Sequence, residues 1–343
     1  YNVVVGDEAG TAITTGDQNV AVGFEALKTT TTAGNNTALG FKALRLNTSG
    51  NANVAVGVVA LGANTTAVDN TAVGYNSLGA NTTGDRNTAL GKNALASNVD
   101  GDRGVAVGYD ALSSQDPSSN ADMYNVGVGY NAGAAVTTGV NNTLIGGLAG
   151  DSITTASYSV AVGQGAATNT TTSSQGFTAV GADSLFTNTT GTDNVAVGRA
   201  SMYYNTTGGN NVAVGRSALQ ANTTASNNTA VGYQSLLANT TGTENSALGR
   251  YSLYTSTTGN YNTSVGTNAL FASTTSSFNT ALGSNALFAN TTADNNTAVG
   301  KSALAANTTG ASNVAVGALA LDANTTASQN TAVGYNALTA TTT

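Results

Sequence analysis

The side chains in this chain that could carry chemistry are hydroxyls, amides and a few carboxylates. Histidine and cysteine are absent from all 343 residues. That removes Ser–His and Cys–His nucleophile pairs and the common zinc ligand sets. The 17 carboxylates fall chiefly near expected turns, at Asp17, Asp69, Asp85, Asp102, Asp193, Glu244 and Asp294. They do not gather on one strand face, as an enzyme on this kind of scaffold would need. No Lys-Ser/Thr follows the glycines, as a phosphate loop requires, and the G-G-x-G-x-D calcium repeat is missing. No catalytic, cofactor-binding or metal-binding residue is assigned, and the chain is read as a non-enzyme.

The N-x-[ST] glycan acceptor pattern holds the most chemical promise. Asn47, Asn64, Asn81, Asn188, Asn205, Asn222, Asn239, Asn290, Asn307 and Asn324 each open an N-T-T or N-T-S stretch. On exposed turns these amides would take N-linked sugar. The threonine pairs would take O-linked sugar: Thr65 and Thr66, Thr82 and Thr83, Thr189 and Thr190, Thr206 and Thr207, Thr223 and Thr224, Thr240 and Thr241, Thr291 and Thr292, Thr308 and Thr309, Thr325 and Thr326.

These stretches share one phase of a repeat. The glycine that closes a V/L-G pair recurs twenty times, from Gly6 to Gly334. Seventeen of the nineteen gaps are 17 residues; the others are 21 (Gly108 to Gly129) and 18 (Gly163 to Gly181). A strict short period over a whole chain means one supersecondary unit stacked on itself. With the glycine as position 0, positions −4 to 0 read N-[T/V]-A-[V/L]-G. Positions +3 and +4 read [A/S]-L, and +7 to +10 read N-T-T-[G/A].

The expected fold is all-β: a parallel β-solenoid, or β-roll, of about 20 coils of 17 residues with two short strands per coil. Asn, Thr, Gly and Val disfavour helix. The glycine would take a corner closed to a Cβ, and N-T-T-G the second corner. Positions −1 and −3 share a strand face and are assigned to the interior. The expected core is Val22, Val56, Val73, Val197, Val231 and Val299 at −1, with Leu27, Leu78, Leu236 and Leu304 at +4. Asn at −4, in 17 of 20 units, should form a hydrogen-bonded ladder; Gly104, Ser159 and Phe177 interrupt it. Position −2 then faces outward yet is nearly always Ala, which suggests close contact with another copy.

Residues 1–343 are read as one continuous solenoid, roughly 95 Å long at about 4.8 Å per coil. A loop insertion near 113–122, with the single proline Pro117, should bulge outward. Coils 126–180 are irregular. Gly133, Gly150 and Ala167 replace Leu at +4, and these coils should be thinner. The first and last units keep the repeat, so their strands are expected to be open edges, which invite pairing. Another copy stacked head to tail, or the rest of a longer repeat protein, would provide it.

A second exposed row is expected at +1: Phe24, Phe41, Tyr75, Tyr109, Tyr130, Tyr233 and Tyr335, with Lys92, Arg199, Arg216, Arg250 and Lys301 interleaved. Such rows stack on sugars or on one another. Only 8% of residues are charged, with a net charge of −7 and no basic run, which argues against nucleic acid. No stretch approaches 18 consecutive apolar residues, so no membrane insertion is expected.

The unit N-V-A-V-G-x-x-A-L, at 19–27, 53–61 and 313–321, resembles the head repeats of trimeric autotransporter adhesins. It also resembles N-T-A-V-G-Y-x-A-L repeats of surface and tail-fibre proteins. The adhesin heads carry S/N-V-A-I-G-x-x-S/A units and form left-handed parallel β-rolls, three chains side by side. The resemblance covers nine of 17 positions per unit. The period here is longer than in those heads, and within these 343 residues neither a coiled-coil stalk nor an anchor barrel is expected.

The leading expectation is a structural extracellular or cell-surface fibre or adhesive rod. It would partner itself, as a head-to-tail filament or a lateral trimer, and carry covalent glycans at the N-T-T corners. The alternatives are an ice-binding or glycan-binding solenoid, or the head of a trimeric adhesin or phage tail fibre.

Overall fold

The computed structural model describes residues 1–117, 119–171 and 176–340. Two compact units divide the chain, Tyr1–Gly176 and Phe177–Thr343. Ser118, in the expected insertion, and 172–175, in the expected irregular coils, lie outside the described residues.

Among the described residues the first unit holds ten strands of three residues, from β1 (Val3–Val5) to β10 (Val160–Val162). Each pairs in parallel with the next. Val3 lies opposite Val20 and Ala21 opposite Ala38. Between β7 (Val105–Val107) and β8 (Val126–Val128) the register holds across the longer gap, with Val105 opposite Val126. The second unit repeats the arrangement from β11 (Thr178–Val180) to β20 (Thr331–Val333), with Thr178 opposite Val195. The parallel β-solenoid with 17-residue coils is thus the architecture. Each coil carries one strand, not two; turns form the rest of its circuit.

The strand face is the reverse of the sequence expectation. Ala at −2 points inward, and Ala21, Ala55, Ala72, Ala196 and Ala230 are fully buried. Val22, Val56, Val73, Val197 and Val299 at −1 are only half-buried, and Val231 is exposed. The reason is volume. Leu27, Leu78, Leu236 and Leu304 reach in from the opposite wall and are fully buried. That leaves room for a methyl at −2 and none for two branched side chains. Small residues at −2 therefore reflect a narrow interior, not the pressure of a neighbouring copy.

Two backbone features set the coil. The glycine at 0 has φ between 124° and 142° in every coil. A Cβ on Gly215 would lie 2.5 Å from the carbonyl oxygen of Gly232, and one on Gly129 2.5 Å from that of Gly146. Positions +2, +4 and +12 are left-handed without glycine in most coils, as at Asn76 (φ 54°), Leu78 (φ 49°) and Asp69 (φ 59°). Asn and Asp tolerate this region; Leu costs roughly 1 kcal/mol or more there. Full burial of the leucine contributes about 1.5–3 kcal/mol, enough to offset the strain.

Candidate functional site: the corner and the outward rows

The N-T-T corner places its three residues in three environments. Asn at +7 is fully buried in the folded chain. Asn64 Nδ2 donates to Asn47 Oδ1 at 2.8 Å and to the Ala67 carbonyl at 3.2 Å. Asn205 donates to Asn188 at 2.7 Å, Asn222 to Asn205 at 2.7 Å, Asn239 to Asn222 at 3.0 Å, and Asn324 to Asn307 at 2.8 Å. Asn81 bonds Asn64 and Gly84, and Asn290 bonds the Ala293 carbonyl. These ten asparagines form a buried ladder, so the expectation that they accept sugar on an exposed turn is corrected. Each of these amides gains a partner in its own corner or in an adjacent coil, though Asn239 Oδ1 and Asn324 Oδ1 are buried without one.

The expected ladder at −4 is also present. Asn19 Oδ1 accepts the backbone N–H of Asn36 at 3.0 Å, and Asn19 Nδ2 donates to the Ala33 carbonyl at 2.9 Å. Both ladders converge on position +10: the Ala67 carbonyl takes Asn53 as well as Asn64. A third ladder runs along +11. Asp85, Asp102 and Asp294 accept N–H groups of Val68, Asp85 and Ser277, each at 2.7 Å. That accounts for several carboxylates near turns.

The first threonine, at +8, is tied down. Thr65 Oγ1 donates to the Thr82 carbonyl at 3.1 Å, and Thr206 Oγ1 to the Thr223 carbonyl at 2.9 Å. The second, at +9, points to solvent: Thr66, Thr83, Thr190, Thr207, Thr224, Thr241, Thr292, Thr309 and Thr326 are all exposed.

The strand's outward positions make a flat aliphatic ribbon. Position −1 is Val, Leu or Ile in all twenty strands, and −3 is Val, Thr or Ser. Neither carries a charge anywhere. Leu39, Leu90, Leu248 and Leu282 are the most exposed members away from the terminal strands, at 40–47%.

At +1, Phe24 stacks on Phe41 (5.4 Å) and Tyr109 on Tyr130 (5.6 Å). The Lys92 ammonium sits 5.2 Å from the Tyr109 ring and 5.9 Å from Tyr75. A longer stack at +5 went unread in the sequence: Tyr254, Phe271 and Phe288, with centroids 5.1 and 5.3 Å apart. Its signal was there, as aromatic residues recurring every 17 positions. A shallow depression lined by Asn268, Asn285, Phe288, Ser302 and Ala305 opens where the stack ends.

Charge concentrates near one end of the first unit. Glu25 is buried among Lys28 (2.7 Å), Arg45 (3.6 Å) and Lys42 (3.8 Å), and Lys28 also reaches Glu8. The Lys28 hydrogen bond, with the other cations helping, holds the Glu25 carboxyl below its ordinary value. Burial pushes Asp151 up.

The insertion is only partly outward. Ser119 and Asn120 are exposed, but Gln115, Pro117 and Met123 are buried. Gln115 replaces the +7 asparagine, accepting from Asn125 Nδ2 at 2.5 Å and donating to the Thr137 carbonyl. Arg103 pairs with Asp122 and lies over Tyr124. Leaving Gln115 unpaired would cost more than looping the chain out would gain.

Among the described residues no three His, Cys, Asp or Glu side chains are grouped to hold a metal, and no helix is long and apolar enough to cross a membrane. No protein-family model matches this sequence, and no curated protein matches it.

Proposed function

We propose that this chain is a structural repeat protein, the rod of an extracellular or cell-surface fibre or adhesin, decorated with sugar at its corners. A β-solenoid is compatible with that role. The observation that carries the reading is where the polar groups go. Most coils tie their buried amides to the adjacent coils, leaving outward rows that repeat at one pitch. Such a molecule resists unfolding along its length and presents multivalent surfaces.

Its partner is another copy of itself. The aliphatic ribbon is charge-free, and the adhesin-like repeat favours three chains side by side. Ten coils at about 4.8 Å, each about 10 Å wide, offer roughly 480 Å² per unit. A stable interface needs about 800 Å² per partner, so the ribbon of one unit falls short of it by itself. Head-to-tail stacking is the alternative geometry.

Cryo-electron microscopy of the purified protein tests the reading. Filaments or laterally paired rods with an axial repeat of about 4.8 Å support it. Dispersed single chains at high concentration, unaffected by Lys in place of Leu90 or Leu248, would sink self-association. The +5 aromatic stack favours a second reading, glycan binding. Loss of retention on polysaccharide columns in Phe271→Ala and Phe288→Ala would support it; unchanged retention would end it.

A further inference from the structure

We infer that sugar is attached through one atom per coil, Oγ1 of the threonine at +9, and not through the asparagine or the first threonine of the same corner. This rests on the reading that the corners are decorated, and it selects among three adjacent residues.

The selection follows from bonding. The +7 amide nitrogen is buried and makes two hydrogen bonds, as at Asn64. An N-linked sugar there would break both and open the interior. The +8 hydroxyl is half-buried and donates to the next coil, as at Thr206. The +9 hydroxyls of Thr66, Thr83, Thr207, Thr224, Thr241 and Thr309 are exposed; the backbone of five of them is used, as in Thr66 N–H to the Thr82 carbonyl at 3.3 Å, and Thr224 is the sixth.

Position +9 is nevertheless uniform. It is Thr in seventeen of the twenty units and Ser49 in another; Asp100 and Pro117 are the exceptions. Both exceptions stand in altered corners beside the longer gap: one Asp100 carboxylate oxygen is buried, and Pro117 is buried in the insertion. Recent duplication does not explain the uniformity. Position +1, equally outward, holds eleven residue types over the same twenty units. At Thr66, Thr83, Thr207, Thr241 and Thr309 the hydroxyl faces solvent, and a hydroxyl kept there is kept for something outside the chain.

The chemistry of the modifying group follows from the spacing. Successive +9 hydroxyls stand about 4.8 Å apart, inside the Debye length of about 8 Å at physiological ionic strength. Phosphate on every coil would set like charges against each other along the row, in a chain already at −7. A neutral hexose adds no such repulsion. In the transfer, Oγ1 attacks the anomeric carbon of a nucleotide-activated sugar. The new C–O bond forms as the anomeric carbon–phosphate oxygen bond breaks. The electron pair leaves with the nucleoside diphosphate, and the hydroxyl proton passes to a base on the transferase.

The test is site-localised mass spectrometry by electron-transfer fragmentation on the full chain isolated from the cells that produce it. Hexose increments on +9 residues, with the Asp100 and Pro117 corners bare, are the expected result. Sugar on Asn at +7 or Thr at +8 would overturn the inference while leaving corner decoration standing. A bare polypeptide mass would overturn both, and leave the filament question to microscopy. Replacing Thr207, Thr224 and Thr241 with Val should remove three sugars' mass; replacing Thr206, Thr223 and Thr240 should remove none. Equal losses from the two triplets would refute the assignment, and circular dichroism would confirm that both variants fold.

Discussion

Two stretches of the molecule solve one packing problem with different residues. From coil 12 to coil 14, in the second unit, each interior takes Ala at −2, Leu or Met at +4 and Asn at +7, as with Ala213, Leu219 and Asn222. In the first unit, around β9 (Thr143–Ile145), the same positions hold Leu144, Gly150 and Ile153. The expectation that Gly133 and Gly150 thin their coils is wrong. A Cβ on Gly150 would lie 2.7 Å from Ile153 Cδ1 and 2.9 Å from Leu144 Cδ2; one on Gly133 would lie 2.6 Å from Leu144 Cδ1. In Gly150's coil the volume lost at +4 returns from Leu144 at −2 and Ile153 at +7; in Gly133's coil, where −2 is Gly127, Leu112 and Leu144 of the adjacent coils fill it, and the amide ladder gives way to an apolar column. Neighbouring coils share the filling, so the residue at each place is not fixed.

What the two stretches share should be the most sensitive to change. Gly215→Ala and Gly129→Ala both drive a Cβ into the next coil's backbone at a φ that side chains avoid. Each should cost about 3 kcal/mol or more, read as a fall in the denaturation midpoint. A tolerated alanine at either site would mean that coil spacing is softer than described.

The next effect separates the stretches. Leu144→Ala restores the regular residue to an irregular coil and should still destabilise by about 3 kcal/mol, since Gly150 leaves the cavity unfilled. Its mirror, Ala213→Leu, should overpack by about 1–3 kcal/mol. Adding Leu219→Gly should recover part of that loss, a coupling that a double-mutant cycle measures. Additive behaviour would break the idea of a shared volume.

Asn222→Ala should cost about 2 kcal/mol, because Asn205 Oδ1 loses its donor and Asn239 Nδ2 one of its two acceptors. Hydrogen exchange should localise the loss to neighbouring coils, since repeat arrays need not unfold in one step. Ile153→Ala tests the apolar column, and no amide should lose its partner there.

The smallest effect concerns charge. Glu25's folded value lies below its ordinary 4.5. Its stabilisation is therefore complete above about pH 4.5 and fades as pH falls through the lower folded value. Glu25→Gln should lower stability at pH 7, where the pair's contribution is complete, and flatten the profile in the acid range. An unchanged acid limb would show that the Lys28 pair contributes nothing.

The repeat length, the parallel register, the −4 ladder and the glycine corner were legible in the sequence, because each follows from spacing alone. The strand face was not. V-A-V alternates equally well in either sense, and only the competition with Leu27 or Leu78 for interior volume decides it. Asn at +7 was misread because N-T-T is both a turn and an acceptor pattern. One clue separated them: Val136, Ile153 and Thr170 stand at the same phase, which an exposed acceptor row does not explain and an interior column does.

The glycine column also makes the molecule a ruler. Because backbone meets backbone at every step, each outward row repeats at a pitch that side-chain changes barely alter. A partner that grips only a few coils then finds about ten nearly equivalent berths along a unit. That degeneracy alone contributes up to about 1.4 kcal/mol to apparent affinity, and it lets the partner walk rather than let go. Where Leu144, Met123 and Pro117 interrupt the pattern, the ruler carries a mark, and walking stops there.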